Sequence, residues 1–127
     1  MFNINKIQSI IKDMVIAQPI IDGIALMSKD GLIIQSALEY ANEDLIAAAG
    51  AILYHLGVNS TQALKKGKMQ IMFIKGKDGY LVVSEINDEI VLLISTNYSN
   101  IQIGTLMFEV KETNKKLKSV LKYKMGL

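Results

Sequence analysis

The 127-residue chain has no cysteine, no arginine, one proline and one histidine. Without cysteine there is no disulfide, no thiolate nucleophile and no cysteine zinc site, and the composition fits a reducing cytosol. The lone histidine, His55, stands beside Tyr54 with no carboxylate near it in sequence to orient it as a base. One imidazole without thiolates also falls short of the three or four ligands that a transition-metal site normally takes. No catalytic residue, metal site or cofactor is expected, and the chain reads as non-enzymatic. Because every basic residue is lysine, the planar fork that reads guanine edges or grips phosphate at two points is missing. With a net charge of only +2, nucleic acid is not an expected partner. The stretch "LKKGKMQ" contains Gly-Lys but neither the upstream glycine spacing nor the following Ser or Thr of a phosphate loop. Lys6, Lys12 and Asp13 interrupt the apolar residues of "MFNINKIQSIIKDMVIAQP", which leaves neither a secretory hydrophobic region nor a membrane span. A cytoplasmic location is the expectation.

Half of the residues are apolar and a fifth are charged, a balance that folds, and the length fits one domain over residues 1–127. Positive charge gathers at Lys65, Lys66 and Lys68 and again at Lys111, Lys115, Lys116, Lys118, Lys122 and Lys124. The plain reading is a solvated helix face whose late lysines suit the negative end of the helix dipole; the sharper one is contact with an anionic surface.

Periodicity orders the chain as helix, two strands, helix, three strands, helix, an α+β (α/β) pattern. Ile4, Ile7, Ile10, Ile11, Met14 and Val15 recur at helical spacing, Asn3 or Asn5 can cap the start, and Pro19 ends the helix near Ala17. "GIALMS" and "LIIQS" are strands joined by Lys29-Asp30-Gly31. Asn42, followed by Glu43 and Asp44, opens a second helix that runs to Leu56 or past Gly57 to about Leu64. "MQIMFIK", "YLVVSEI" and "EIVLLIST" form an antiparallel meander, turning through Gly76 to Gly79 and through Asn87-Asp88. A last helix, with Asn100 as candidate cap, carries Ile103, Leu106, Met107, Val110, Leu117, Val120 and Leu121 on one face. The two Lys-Asp-Gly triplets, at residues 29–31 and 77–79, are read as turns, since nothing brings their carboxylates together as an acid and base pair.

The second helix has two stripes. Leu45, Ala48, Ile52 and Leu56 form an apolar one, expected to lie on the sheet. Ala47, Gly50, Ala51 and Tyr54 form a small-residue one, expected to meet a helix of another subunit, with a close helix-sheet contact inside the monomer as the alternative. The strand "MQIMFIK" carries Met69, Ile71 and Phe73 on one face and Met72 and Ile74 on the other, and at a sheet edge it would need a partner.

With "IDGIALMSKDGLIIQS", "NEDLIAAAGAIL" and "MQIMFIKGKDGYLVVSEINDEIVLLIST" in this order, residues 4–121 resemble the Roadblock family, the dynein light-chain-related domains that include MglB-like regulators of small GTPases. The resemblance implies a five-stranded antiparallel sheet with one helix on one face and the two terminal helices on the other. It implies a homodimer in which the second helix and the third strand meet their copies, through Ala47, Gly50, Ala51, Tyr54, Met69, Ile71 and Phe73. It also implies noncatalytic binding of a Ras-like small GTPase, with Glu43, Asp44, Ile46, Tyr54 and His55 as exposed contact candidates. A structural adaptor without a GTPase partner and a small-ligand sensor are the other classes; the bulky apolar residues point to a filled core over a ligand pocket.

Overall fold

A computed structural model describes residues 3–38, 42–97 and 102–125. Helix α1 (Ile4–Ala17) opens where the Asn3 side chain accepts from the Lys6 backbone N–H at 3.2 Å, and it stops just ahead of Pro19. Strands β1 (Ile21–Ser28) and β2 (Ile33–Leu38) form a hairpin. In its turn the Gly31 N–H donates to the Ser28 carbonyl at 3.0 Å and the Ser28 N–H to the Leu32 carbonyl at 2.8 Å. Gly31 has φ +92°, a conformation that suits glycine, so this triplet is a three-residue hairpin loop closed by a glycine bulge.

Helix α2 (Glu43–Ala63) is capped by Asn42, whose side chain accepts from the Leu45 N–H at 3.0 Å, with Glu43 and Asp44 in its first turn. It runs straight through Gly57. Strands β3 (Ile71–Lys75), β4 (Tyr80–Glu85) and β5 (Ile90–Thr96) form the expected meander, and helix α3 (Ile103–Met125) ends the fold. Asn87 makes the last tight turn by accepting from the N–H groups of Glu89 and Ile90 at 2.8 and 2.9 Å. The candidate cap Asn100 lies outside the described residues.

The strands are antiparallel in the order β2-β1-β5-β4-β3, which puts β1 and β5 near the centre and leaves β2 and β3 as edges. Alternation along each strand sends two sets of side chains to opposite faces. On one face Ile24, Leu26, Val82, Leu92 and Ile94 are buried beneath α1 and α3, which contribute Ile7, Ile11, Leu106, Val110 and Leu117. On the other, Ala25, Met27, Val83, Val91 and Leu93 meet α2. The fold is thus the expected α+β sandwich, one helix on one side and the terminal pair on the other. Not every residue of the expected helical stripes is covered: Ile4 and Ile103, at the first turns of α1 and α3, are exposed.

Candidate interaction surface

Helix α2 seats on the sheet by the face opposite to the one its apolar stripe suggests. Ala47, Gly50, Tyr54 and Gly57 are buried against the sheet of the same chain, with Ala51 half-buried. Leu45, Ile52 and Leu56 point outward and are 65, 68 and 58% exposed. The cause is volume on the sheet side. A Cβ at Gly50 would come within 2.9 Å of Met27 Sδ and 3.2 Å of Leu93 Cδ2, and one at Gly57 within 2.7 Å of Met72 Cε. Long side chains rise from the strands into the space these glycines leave, and the helix approaches closely because its inner face is small. The small-residue stripe is therefore a contact within the chain, and the surface that α2 offers to another molecule is Leu45, Ala48, Ala49, Ile52 and Leu56.

The other expected contact residues separate in the same way. Met69 is buried under α2, while Ile71 and Phe73 are half-buried on the opposite face, at the base of the α1 and α3 layer. Strand β3 is a sheet edge, as a strand that adds to a partner must be. Glu43 and Asp44 are exposed at the start of α2, where Glu43 accepts a hydrogen bond from the Ser36 hydroxyl at 2.9 Å. Ile46 is half-buried beside them. It helps line an open, mainly apolar recess of about 300 Å³ with Leu45, Gly23, Leu81, Leu93 and Ser95, where α2 leaves the ends of the central strands uncovered. His55 is exposed, with Nε2 3.1 Å from the Lys29 carbonyl oxygen, so the helix and the first hairpin turn are tied together there.

Tyr54 corrects the expectation that it is an exposed contact: it is only 6% exposed, and its hydroxyl donates to Glu85 at 2.8 Å. Glu85 also receives Lys68 at 3.1 Å, and Lys68 bridges on to Asp88 at 2.5 Å. This chain of four groups links α2, the segment before β3, β4 and the β4-β5 turn. Sequence inspection missed it because its members lie far apart along the chain. Burial, and then the Glu85 carboxylate, push the Tyr54 phenol up to about 12. The hydrogen bond to Asp88, joined by Glu85, holds Lys68 above its ordinary value, and the same hydrogen bond holds Asp88 below its own. For Tyr54 the folded value lies above the unfolded one near 10, so its contribution is complete below about pH 10 and is lost as pH rises through about 12. Tyr54→Phe is therefore expected to flatten the fall in melting temperature between those limits; equal slopes for both proteins would remove the buried phenol as the cause.

Among the described residues, no group of three or more His, Asp or Glu side chains is arranged to hold a metal ion, and no helix is long and apolar enough to cross a membrane. The sequence pattern of the Roadblock/LC7 domain matches residues 14–96. Among solved structures, a Roadblock/LC7 domain from Streptomyces avermitilis superposes with a TM-score of 0.80 at 23% identity, over 92% of this chain and 96% of that one. MglB of Myxococcus xanthus gives a TM-score of 0.86 at 15% identity, over 95% and 91% of the two chains. The gliding protein MglB of Thermus thermophilus gives 0.83 at 13%, over 94% and 90%. No curated protein matches the sequence. At these identities the superpositions speak for the fold, and the domain pattern spans the hairpin, α2 and the meander; the chain belongs to the Roadblock/LC7 family.

Proposed function

We propose that the chain is a noncatalytic homodimeric regulator or scaffold that binds a Ras-like small GTPase. The observation that carries this reading is the outward apolar stripe of α2, Leu45, Ile52 and Leu56, on a molecule whose β3 edge is unpaired. Burying such side chains is worth about 1.5–3 kcal/mol each, so a surface this apolar is suited to being covered. A twofold contact that sets α2 and β3 against their copies would cover the stripe and close the edge together. The GTPase contact is assigned to Glu43, Asp44 and Ile46 at the start of α2 and to His55, which face solvent wholly or in part. Tyr54 acts from beneath this surface, fixed to Glu85.

Because the chain has no arginine, it has no planar finger to insert beside a transferring phosphoryl group. Any stimulation of GTP hydrolysis would come from holding the GTPase's own switch residues in the productive arrangement. The test is retention of an identified Ras-like GTPase from native cytosol on the immobilised protein, loaded with GDP or with a non-hydrolysable GTP analogue. Retention in one nucleotide state, lost with Asp44→Lys, is the expected result. No retention in either state overturns the GTPase reading and leaves that of a structural adaptor, whereas equal retention in both removes the regulator and leaves a scaffold for the GTPase.

A further inference from the structure

Helix α2 crosses the sheet on a slope. Gly50 stands over Met27 of β1 and Leu93 of β5, while Gly57, seven residues on, stands over Met72 of β3. Seven helical residues cover about 10 Å, about the two strand spacings that separate β5 from β3. The helix also advances along β4: its first turn lies by Leu81, and Tyr54 reaches Glu85 at the other end of the strand. Continued beyond Gly57, this slope carries the last turns of α2 past the edge strand. Ala63, Leu64, Lys65 and Lys66 there are all exposed, Leu64 by 70%.

The end of the helix is closed in a way that favours its surface over its own packing. The Lys66 N–H donates to the Thr61 carbonyl at 2.7 Å and the Lys65 N–H to the Gln62 carbonyl at 3.1 Å, the two bonds of a Schellman cap. Its left-handed position, where glycine is usual, is Lys65 at φ +57°. The apolar contact that often accompanies such a cap is missing, since its places are held by Lys66 and Thr61, and Leu64 faces solvent.

At the start of α2 the complementary shape is found. Pairing sets Ile74, Leu81, Ser95 and Gly23 in one row across the sheet. The row is bulky near the β3 edge and small at its centre, which makes the apolar recess of about 300 Å³ beside Leu45 and Ile46; Ile74 and Leu81 remain 36% exposed. The Asn42 side chain is already engaged by the Leu45 N–H, so few polar groups are left to orient a small ligand. An apolar side chain is oriented by its own backbone and fits without them.

We propose that this recess is filled by Leu64 of a second copy of the chain, the two copies exchanging the contact. The inference rests on the homodimer of the proposed function. If β3 pairs antiparallel with its copy, the twofold axis is normal to the sheet, and both α2 helices stay on one face and run in opposite directions. The end of the second α2, sloping past its own edge strand, then arrives over Ile74 and Leu81 at the recess. Charge agrees with this order. Helix α2 starts with Glu43 and Asp44 and ends at Lys65 and Lys66, none of which has an ion-pair partner among the described residues. Antiparallel helices bring each basic end to an acidic one, where parallel helices would set like charges together. Glu43 bonds to Ser36 on the β2 side, away from the recess, so the first turn stays open to a further partner. The match of ends selects a second copy of this chain over a chain of the same fold with other charges there.

The experiment is a double-mutant cycle on the dimer dissociation constant, read by sedimentation velocity. Ser95→Leu fills the recess from its floor and is expected to raise Kd about tenfold or more; Leu64→Ala is expected to raise it several-fold. Together they should raise it no further than Ser95→Leu alone, because the side chain removed had already lost its seat. Within one chain the two sites are about 30 Å apart along α2, too far to couple, so the coupling reports a contact between copies. Leu32→Ala, at an equally exposed leucine of the first hairpin turn, should leave Kd within about twofold. Melting curves check each fold; if Ser95→Leu unfolds, Leu81→Ala, which removes a wall of the recess, takes its place in the cycle. A parent chain that is monomeric at micromolar concentration overturns the homodimer and this contact with it. A dimeric parent in which the two effects simply multiply, or in which Leu64→Ala changes nothing, overturns the contact alone and frees the recess for a side chain of another protein.

Discussion

Gly79→Ala is expected to lower the melting temperature by roughly 10 °C or more. A Cβ at Gly79 would lie 1.9 Å from the carbonyl oxygen of Thr96 and 3.0 Å from its carbonyl carbon. Both are backbone atoms of β5, which is held on either side by β1 and β4 and cannot retreat as a flexible side chain would. Tyr80, the next residue, ties its N–H to the Thr96 hydroxyl at 2.9 Å, so the strand is pinned where the clash occurs. Relief would require parting β4 from β5, at a cost of about 3 kcal/mol or more. The sister triplet behaves differently. At Gly31 the nearest atom to a new Cβ is 3.5 Å away, and the cost of alanine comes from φ +92°, about 1–2 kcal/mol. Asp30→Asn and Asp78→Asn are expected to leave stability within about 0.5 kcal/mol and partner binding unchanged. Thermal melts of the four variants decide it, and a Gly79→Ala protein as stable as the parent would mean the hairpin yields where the backbone says it cannot.

Ile52→Glu combined with Leu56→Glu is expected to turn a dimer into a folded monomer, raising the dissociation constant about 100-fold or more by placing charges in a contact that needs apolar cover. Ala47→Glu, one turn away on the inner face, should instead destroy the fold, because that side chain is 1% exposed and faces the sheet of its own chain. Light scattering reports the first and circular dichroism the second. The contrast tests the orientation of α2 as well as the dimer: if Ala47→Glu gave a folded monomer, the inner and outer faces would be exchanged. A parent protein that stays monomeric at micromolar concentration would remove the dimer from the proposed function.

The elements were legible where local chemistry decides them. Asn3 and Asn42 cap helices, Pro19 follows one, Asn87 makes a turn, and the two Asp-Gly pairs join strands, all within a few residues of their effect. Yet the near-identical triplets conceal different reasons for glycine: a positive φ at Gly31, and the approach of another strand at Gly79. The orientation of α2 was not legible in the helix. Both of its faces are apolar enough to be buried, and what chooses between them is the bulk of Met27, Leu93 and Met72, supplied by separate strands, and of Met69 in the segment before β3. The same distance hides the link from Tyr54 to Glu85, and with it the fact that Tyr54 serves the interior. Among the GTPase contact candidates, Glu43 and Asp44 are exposed as expected, because the cap and first turn of α2 fix them locally, while the exposure of His55 follows from the orientation of the helix.

The central pairing of the sheet also has a history in time. The β1-β2 hairpin and the β3-β4-β5 meander each close between neighbours in sequence, but within the sheet they are joined only along β1 and β5, from Ile21 opposite Thr96 to Ser28 opposite Ile90. At a synthesis rate of about 5–20 residues per second, Ile94 follows Ile24 out of the ribosome by roughly 4–14 s. Through that interval β1, the most completely buried strand, has only β2 beside it, and an isolated hairpin is marginal in water. Closing so distant a pair sets the folding rate through loop entropy, so the strand that becomes the middle of the domain is among the first made and the last to find its neighbours.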